Sequence, residues 1–259
     1  MNKLLTRTLS GIIILILVIF FTTSGGLLLF ASVLLLSSVA SFEFNRALGR
    51  IGINYPLIWQ LISGLAISYF AFMRYYELLI LFIAALTVFS FIIAALGNKY
   101  DLRDMNGFIF SILYINLLLS IMLIFDNSEY LYLVYCCAWG TDTFAYVFGI
   151  LLGRHKLIER LSPNKTIEGA IGGIFGSVVL VLIVVFIRGM ERPFMWALFA
   201  AIGSMISQMG DISASAIKRK AGIKDYGNII IGHGGILDRF DSVIFTLPVV
   251  YLLSIVLGR

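Results

Sequence analysis

Between residues 210 and 241 the chain concentrates side chains that can hold a cation and a polyanion together. It reads Gly210-Asp211-Ile212-Ser213-Ala214-Ser215-Ala216-Ile217-Lys218-Arg219, then Lys224-Asp225-Tyr226-Gly227, then Gly232-His233-Gly234-Gly235-Ile236-Leu237-Asp238-Arg239-Phe240-Asp241. Asp211, Ser215 and Lys218 are spaced i, i+4, i+7 and share one helix face. Asp238 and Asp241, at i and i+3, share another at the start of the last apolar run. Carboxylates from two helix ends can converge on a hard cation such as Mg²⁺. That ion typically takes one or two carboxylates and adds substrate phosphates. Lys218, Arg219, Lys224 and Arg239 nearby suit a polyanion such as a triphosphate. The Gly-His-Gly-Gly turn precedes a helix, so its backbone N–H groups are expected to face a phosphate. His233 there is read as a phosphate contact or a loop-shaping residue. A solvated loop accounts for the lysines, but not for three aspartates at helix ends among glycines.

Two further features carry polar chemistry into apolar sequence. Asp142, in Trp139-Gly140-Thr141-Asp142-Thr143-Phe144-Ala145-Tyr146, falls near the middle of a long apolar run. A carboxylate there costs about 2.5–3.5 kcal/mol on insertion scales, so intramembrane acids are functional by default. Tyr146, Gly149 and Gly153 follow on its polar, small-residue side. The second feature is Ser162-Pro163-Asn164-Lys165-Thr166-Ile167-Glu168-Gly169. Ser followed by Pro predicts a helix start with Pro at the first helical position. Basic residues around a helix start make an anion site, with Lys165 as the candidate contact. Gly169, Gly172, Gly173 and Gly176 form two overlapping GxxxG spacings, which predict close helix packing more than chemistry.

The elements that must position these residues follow from composition. Of 259 residues 60% are hydrophobic and only 13% charged, against about 25% charged in soluble domains. The apolar residues come in long runs, not the ten-residue alternating segments of a membrane barrel. The expected fold is therefore all-α, a polytopic transmembrane helical protein. Runs near the required length of about 20 residues cover 8–23, 25–45, 56–73, 75–97, 107–126, 130–152, 167–188, 194–214 and 242–258, about nine membrane helices. The first run, Ile12 to Phe21, lacks a small-residue cleavage site and is read as a retained helix. With the N-terminus cytoplasmic, 15 of the 19 lysines and arginines fall on inside segments and four outside. That bias predicts a cytoplasmic N-terminus and an outside C-terminus, with the polar connections 153–166 and 215–241 both inside. The net charge of +5 is thus explained by topology, and no nucleic-acid partner is expected. Adjacent Cys136 and Cys137 in an apolar run make no disulfide framework. The chain is expected to form one integral membrane domain over 1–259. Its N-terminal half, about 1–128, is less characteristic, and its catalytic half is about 129–259.

The run Ser215-x2-Lys218-Arg219-x4-Lys224-Asp225-x-Gly227-x4-Gly232-His233-Gly234-Gly235-x2-Asp238-Arg239-x-Asp241 resembles the signature of the phosphatidate cytidylyltransferases, or CDP-diacylglycerol synthases. Asp142 with Ala145, Tyr146 and Gly149, and the Ser162–Gly169 run, also resemble motifs of that family. The resemblance covers the second half well; the first half matches only in length and hydropathy. Ile231 stands where the family often has proline, which loosens the loop without removing a ligand. The resemblance implies an Mg²⁺-dependent enzyme of phospholipid biosynthesis, converting CTP and phosphatidate to CDP-diacylglycerol and pyrophosphate. It implies a multi-pass protein of the cell (inner) membrane, a homodimer, with its active site on the cytoplasmic side among membrane lipids. Asp211 and Asp238 are then the first metal ligands and Asp241 the next, with Asp225 and Asp241 orienting lysines or reaching a second cation. Lys218, Arg219, Lys224 and Arg239 neutralise phosphates; Lys165, Ser215, His233, Gly234 and Asp142 line the substrate site. Two competing readings are a CTP-dependent cytidylyltransferase or kinase acting on a prenyl lipid, and an ion-coupled transporter. The cytoplasmic clustering of polar groups argues against the transporter, whose sites lie near the midplane.

Overall fold

The computed structural model describes residues 3–97, 99–159, 161–230 and 234–258, with side chains from residue 10 onward. Among the described residues there are nine helices: α1 Lys3–Ser24, α2 Gly26–Gly49, α3 Leu57–Phe72, α4 Tyr76–Leu96, α5 Leu102–Ile124, α6 Tyr130–Leu152, α7 Ile167–Arg188, α8 Pro193–Lys220 and α9 Leu237–Val256. Six of them, α2, α4, α5, α6, α7 and α9, are long and apolar enough to cross a membrane. They expose large apolar side chains that only lipid suits, such as Leu81 and Phe91 on α4 and Phe175 and Phe186 on α7. The protein is an α-helical, polytopic membrane protein.

Two expected spans are weaker, for local reasons. Helix α3 has 16 residues and is about 24 Å long, short of a core about 30 Å thick. Helix α8 runs 28 residues but carries Ser204, Ser207, Gln208, Asp211, Ser215 and Lys218 along its length.

The chain divides into two compact units. The first holds residues Met1–Asn127 and Lys220–Arg239; the second holds Ser128–Arg219 and Phe240–Arg259. In the first, α2, α3 and α5 close on a polar core. Gln60 Nε2 donates to Ser41 Oγ (3.0 Å) and to Asn116 Oδ1 (3.3 Å), and Asn116 Nδ2 donates to Ser41 Oγ (3.3 Å). The Tyr55 hydroxyl lies 2.7 Å from Ser111 Oγ and 2.9 Å from Gln60 Oε1. Burial pushes the Tyr55 phenol up to about 12, so it stays a neutral donor. Asn116 sits in a π-helical stretch, Ile112–Leu117, and fits because Gly64 opposite has no side chain.

In the second unit α6 and α7 pack through the glycine stripe. A Cβ at Gly173 would come within 2.8 Å of the Thr141 carbonyl, and one at Gly169 within 2.7 Å of the Ala145 carbonyl. Gly172 and Gly176 meet the rings of Phe148 and Phe144. The GxxxG spacings thus do the packing work expected of them. Helix α8 joins this pair: Gln208 Nε2 donates to the Ala170 carbonyl at 3.2 Å.

The segment expected to open a helix at Ser162-Pro163 does not. Lys156–Ile158 and Ser162–Thr166 form a two-stranded antiparallel hairpin, β1 and β2, pairing Lys156 with Thr166 and Ile158 with Ser162. The helix begins at Ile167, capped by Thr166, whose Oγ1 accepts from Gly169 N–H at 3.1 Å. Pro163 leaves its carbonyl to accept from Lys156 Nζ at 2.6 Å.

Candidate active site

The second unit gathers a cluster of charge on β2, on α6, along α8 and on α9 just past its first turn. Strand β2 presents Lys165, whose Nζ lies 2.5 Å from Asp211 Oδ2 on α8. The hairpin is fastened to α7 by Glu168: Oε2 accepts from Arg154 N–H (3.0 Å) and His155 N–H (3.2 Å), and Oε1 lies 2.6 Å from His155 Nδ1. Ser215, one turn along α8, donates to Asp211 Oδ1 at 3.4 Å. Asp241 is only 4% exposed, its Oδ1 accepting from Ser242 N–H at 2.7 Å. The charged groups that act on it are Asp211, Lys218 and Asp142. Lys218 is buried and Asp142 exposed. Four predicted residues, Asp142, Asp211, Lys218 and Asp241, therefore share one electrostatic neighbourhood, with Lys165 paired to one of them. A π-helical stretch at Cys136–Gly140 ends two residues before Asp142; its Cys136 carbonyl accepts from Ser177 Oγ at 3.1 Å.

The first unit holds the remainder of the polar stretch. Asp238, on the first turn of α9, points one oxygen back at its own loop. Oδ2 accepts from Tyr226 N–H at 2.7 Å and from Gly235 N–H at 2.9 Å. Gly234 has φ +84°, a left-handed conformation that favours glycine, and its carbonyl accepts from Ile230 N–H at 3.0 Å. Lys224 and Asp225 are exposed and Arg239 half-buried. Ile231, Gly232 and His233 lie outside the described residues.

A carboxylate that the sequence reading passed over completes this loop. Glu43 of α2 is 1% exposed; its Oε1 accepts from Ile236 N–H (3.1 Å) and its Oε2 from Leu237 N–H (2.8 Å). The expectation that amides of the Gly-His-Gly-Gly turn face a phosphate is corrected at Gly235, whose N–H already serves Asp238; the next two amides, of Ile236 and Leu237, serve Glu43. The signal was available, since Glu43 is an acid inside the apolar run 25–45, the reasoning that singled out Asp142.

A model of the cytidylyltransferase family matches residues 5–257. The chain belongs to the cytidylyltransferase family. Relatives include proteins named phosphatidate cytidylyltransferase from Staphylococcus saprophyticus, 38% identical over 163 residues, and from Staphylococcus haemolyticus, 39% identical over 163. That of Staphylococcus aureus is 38% identical over 164 residues. Each match covers 61% of this chain and 62% of the relative, so just under two thirds of their length is spanned. Membership extends to the first half, which the motifs alone do not reach.

The donor set can be weighed against the Mg²⁺ expected for such chemistry. Among the described residues no group of three His, Cys, Asp or Glu forms a ready cage. Mg²⁺ does not need one: it is commonly held by one or two carboxylates and completed by water and substrate phosphates. The buried Asp241 and the part-exposed Asp211, with Lys165 and Lys218 as cationic neighbours, fit that requirement.

Proposed function

We propose that this chain is a phosphatidate cytidylyltransferase, joining CTP and phosphatidate to give CDP-diacylglycerol and pyrophosphate. Family membership and the names of its relatives support the reaction class. The observation that carries the site is the close set of Asp211, Asp241, Asp142, Lys218 and Lys165, two carboxylates for a cation and two amines for phosphate oxygens. Mg²⁺, held by Asp211 and Asp241 with Asp238 as the further ligand, would neutralise phosphate charge. The chain's own side chains do the rest. Lys165, Lys218, Arg219, Lys224 and Arg239 bind and orient the phosphates, and Asp225 orients the lysines or reaches a second cation. Ser215 keeps Asp211 in place; Asp142, His233 and Gly234 line the substrate space. An oxygen of the lipid phosphate attacks the α-phosphorus in line. The bond to the β-phosphate bridging oxygen breaks, and pyrophosphate leaves with that electron pair. An ionised phosphate nucleophile needs no base.

The setting proposed is a nine-span homodimer of the cell membrane, N-terminus cytoplasmic and C-terminus outside, its site on the cytoplasmic side where a membrane lipid meets a soluble nucleotide. Incorporation of labelled CTP into lipid by the purified protein tests the reading. Label should enter CDP-diacylglycerol with phosphatidate, and chelation of Mg²⁺ should stop it. Transfer to a prenyl phosphate alone would favour the prenyl-lipid reading, and substrate flux without CTP the transporter.

A further inference from the structure

We propose that Glu43, on a helix outside the signature motif, is a positioning residue that holds the segments 224–230 and 234–238 of the catalytic stretch; this rests on the reaction proposed above. Three neighbouring side chains of α2 reach that loop. Glu43 accepts from Ile236 N–H and Leu237 N–H, the amides that open α9. Phe44 packs on the fully buried Tyr226 ring, centroids 6.0 Å apart. Arg46 Nη2 donates to the Tyr226 carbonyl at 2.5 Å. Glu43 and Asp238 thus bracket the loop with four charge-assisted hydrogen bonds between them, to residues 226, 235, 236 and 237.

Two motif glycines are explained by this carboxylate. A Cβ at Gly235 would lie 2.5 Å from both Glu43 oxygens, and one at Gly227 would collide with Oε1. Glycine there makes room for an acid from α2. The first N–H groups of a helix normally attract an anion. Here a side chain of the protein already takes them, so substrate phosphates must be met by lysine and arginine side chains, not by the α9 amides. The carboxylate sets where Lys224 and Arg239 are presented.

The test uses the full-length protein in four forms: wild type, Glu43→Gln, Gly235→Ala and the double variant. Amide hydrogen exchange over 224–238, thermal unfolding and CTP-dependent turnover are measured on each. Glu43→Gln should speed exchange at Ile236 and Leu237 roughly tenfold or more, since glutamine offers one acceptor oxygen where two were used. It should lower kcat about tenfold to a hundredfold with a smaller change in the KM for CTP, while the unfolding temperature falls by only a few degrees and the fold is kept. Gly235→Ala should do the same by pushing the carboxylate out, and the double variant should be no worse than either single one, because all lose the same contact. Wild-type exchange and turnover in Glu43→Gln would overturn the proposal, as would effects that multiply in the double variant. If Glu43→Gln does not fold, Gly235→Ala decides alone, keeping the acid intact. A wild-type protein that transfers no cytidylyl group, but loosens its loop in Glu43→Gln, removes the reaction and keeps the loop contact. Reduced turnover with unchanged exchange removes the contact and keeps the reaction.

Discussion

Lys165 and Asp211 form the contact on which the charge cluster depends. Both side chains are 27% exposed, too little for water to screen either fully if the other is lost. Lys165→Met should therefore lower kcat about a hundredfold or more, equivalent to about 3 kcal/mol of transition-state stabilisation. Asp211→Asn should do at least as much and should also raise the Mg²⁺ concentration needed for half-maximal turnover. Near-normal turnover of Asp211→Asn at limiting Mg²⁺ would remove its ligand role. Asp142, Asp211 and Asp241 were legible because each is an acid in or beside an apolar run, where a charge demands a reason. Glu43 meets the same criterion, yet its role was hidden: its donors lie 193 and 194 positions further along the chain, beyond any spacing rule.

Helices are where the sequence reads most directly, because a membrane span is set by length and apolar content. The α6–α7 pair was also legible, as small residues one turn apart announce a close crossing. A direct check is Gly173→Ala. Its Cβ would press on the Thr141 carbonyl, a backbone atom held by Thr141's own helix, and 3.0 Å from Ala145 Cβ. Overpacking of this kind costs about 1–3 kcal/mol, so the unfolding temperature in detergent should fall by several degrees. An unchanged temperature would mean that the pair separates readily. The hairpin at 156–166 was not legible. Ser162-Pro163 carries the local signature of a helix start, and only pairing with Lys156–Ile158 draws it into a strand. Helix capping then passes to Thr166, three residues before the glycine it serves.

Across the whole molecule, the bias of basic residues predicts which ends of the helices face the cytoplasm. In a background with Cys136 and Cys137 replaced by alanine, a single cysteine at Glu191 should react with a membrane-impermeant maleimide on intact cells. One at Lys99 should react only after the membrane is opened; the opposite pattern would reverse the orientation. The chain also passes between its two units three times, after Asn127, after Arg219 and after Arg239. The first unit is therefore incomplete until nearly all of the chain exists. On a ribosome adding about 5–20 residues each second, Glu43 is made roughly 10–40 s before Ile236 and Leu237 can donate to it. A nascent chain halted short of residue 236 carries Glu43 on α2 without these two donors, so unfinished products differ from finished ones by a carboxylate whose backbone partners have not yet been made.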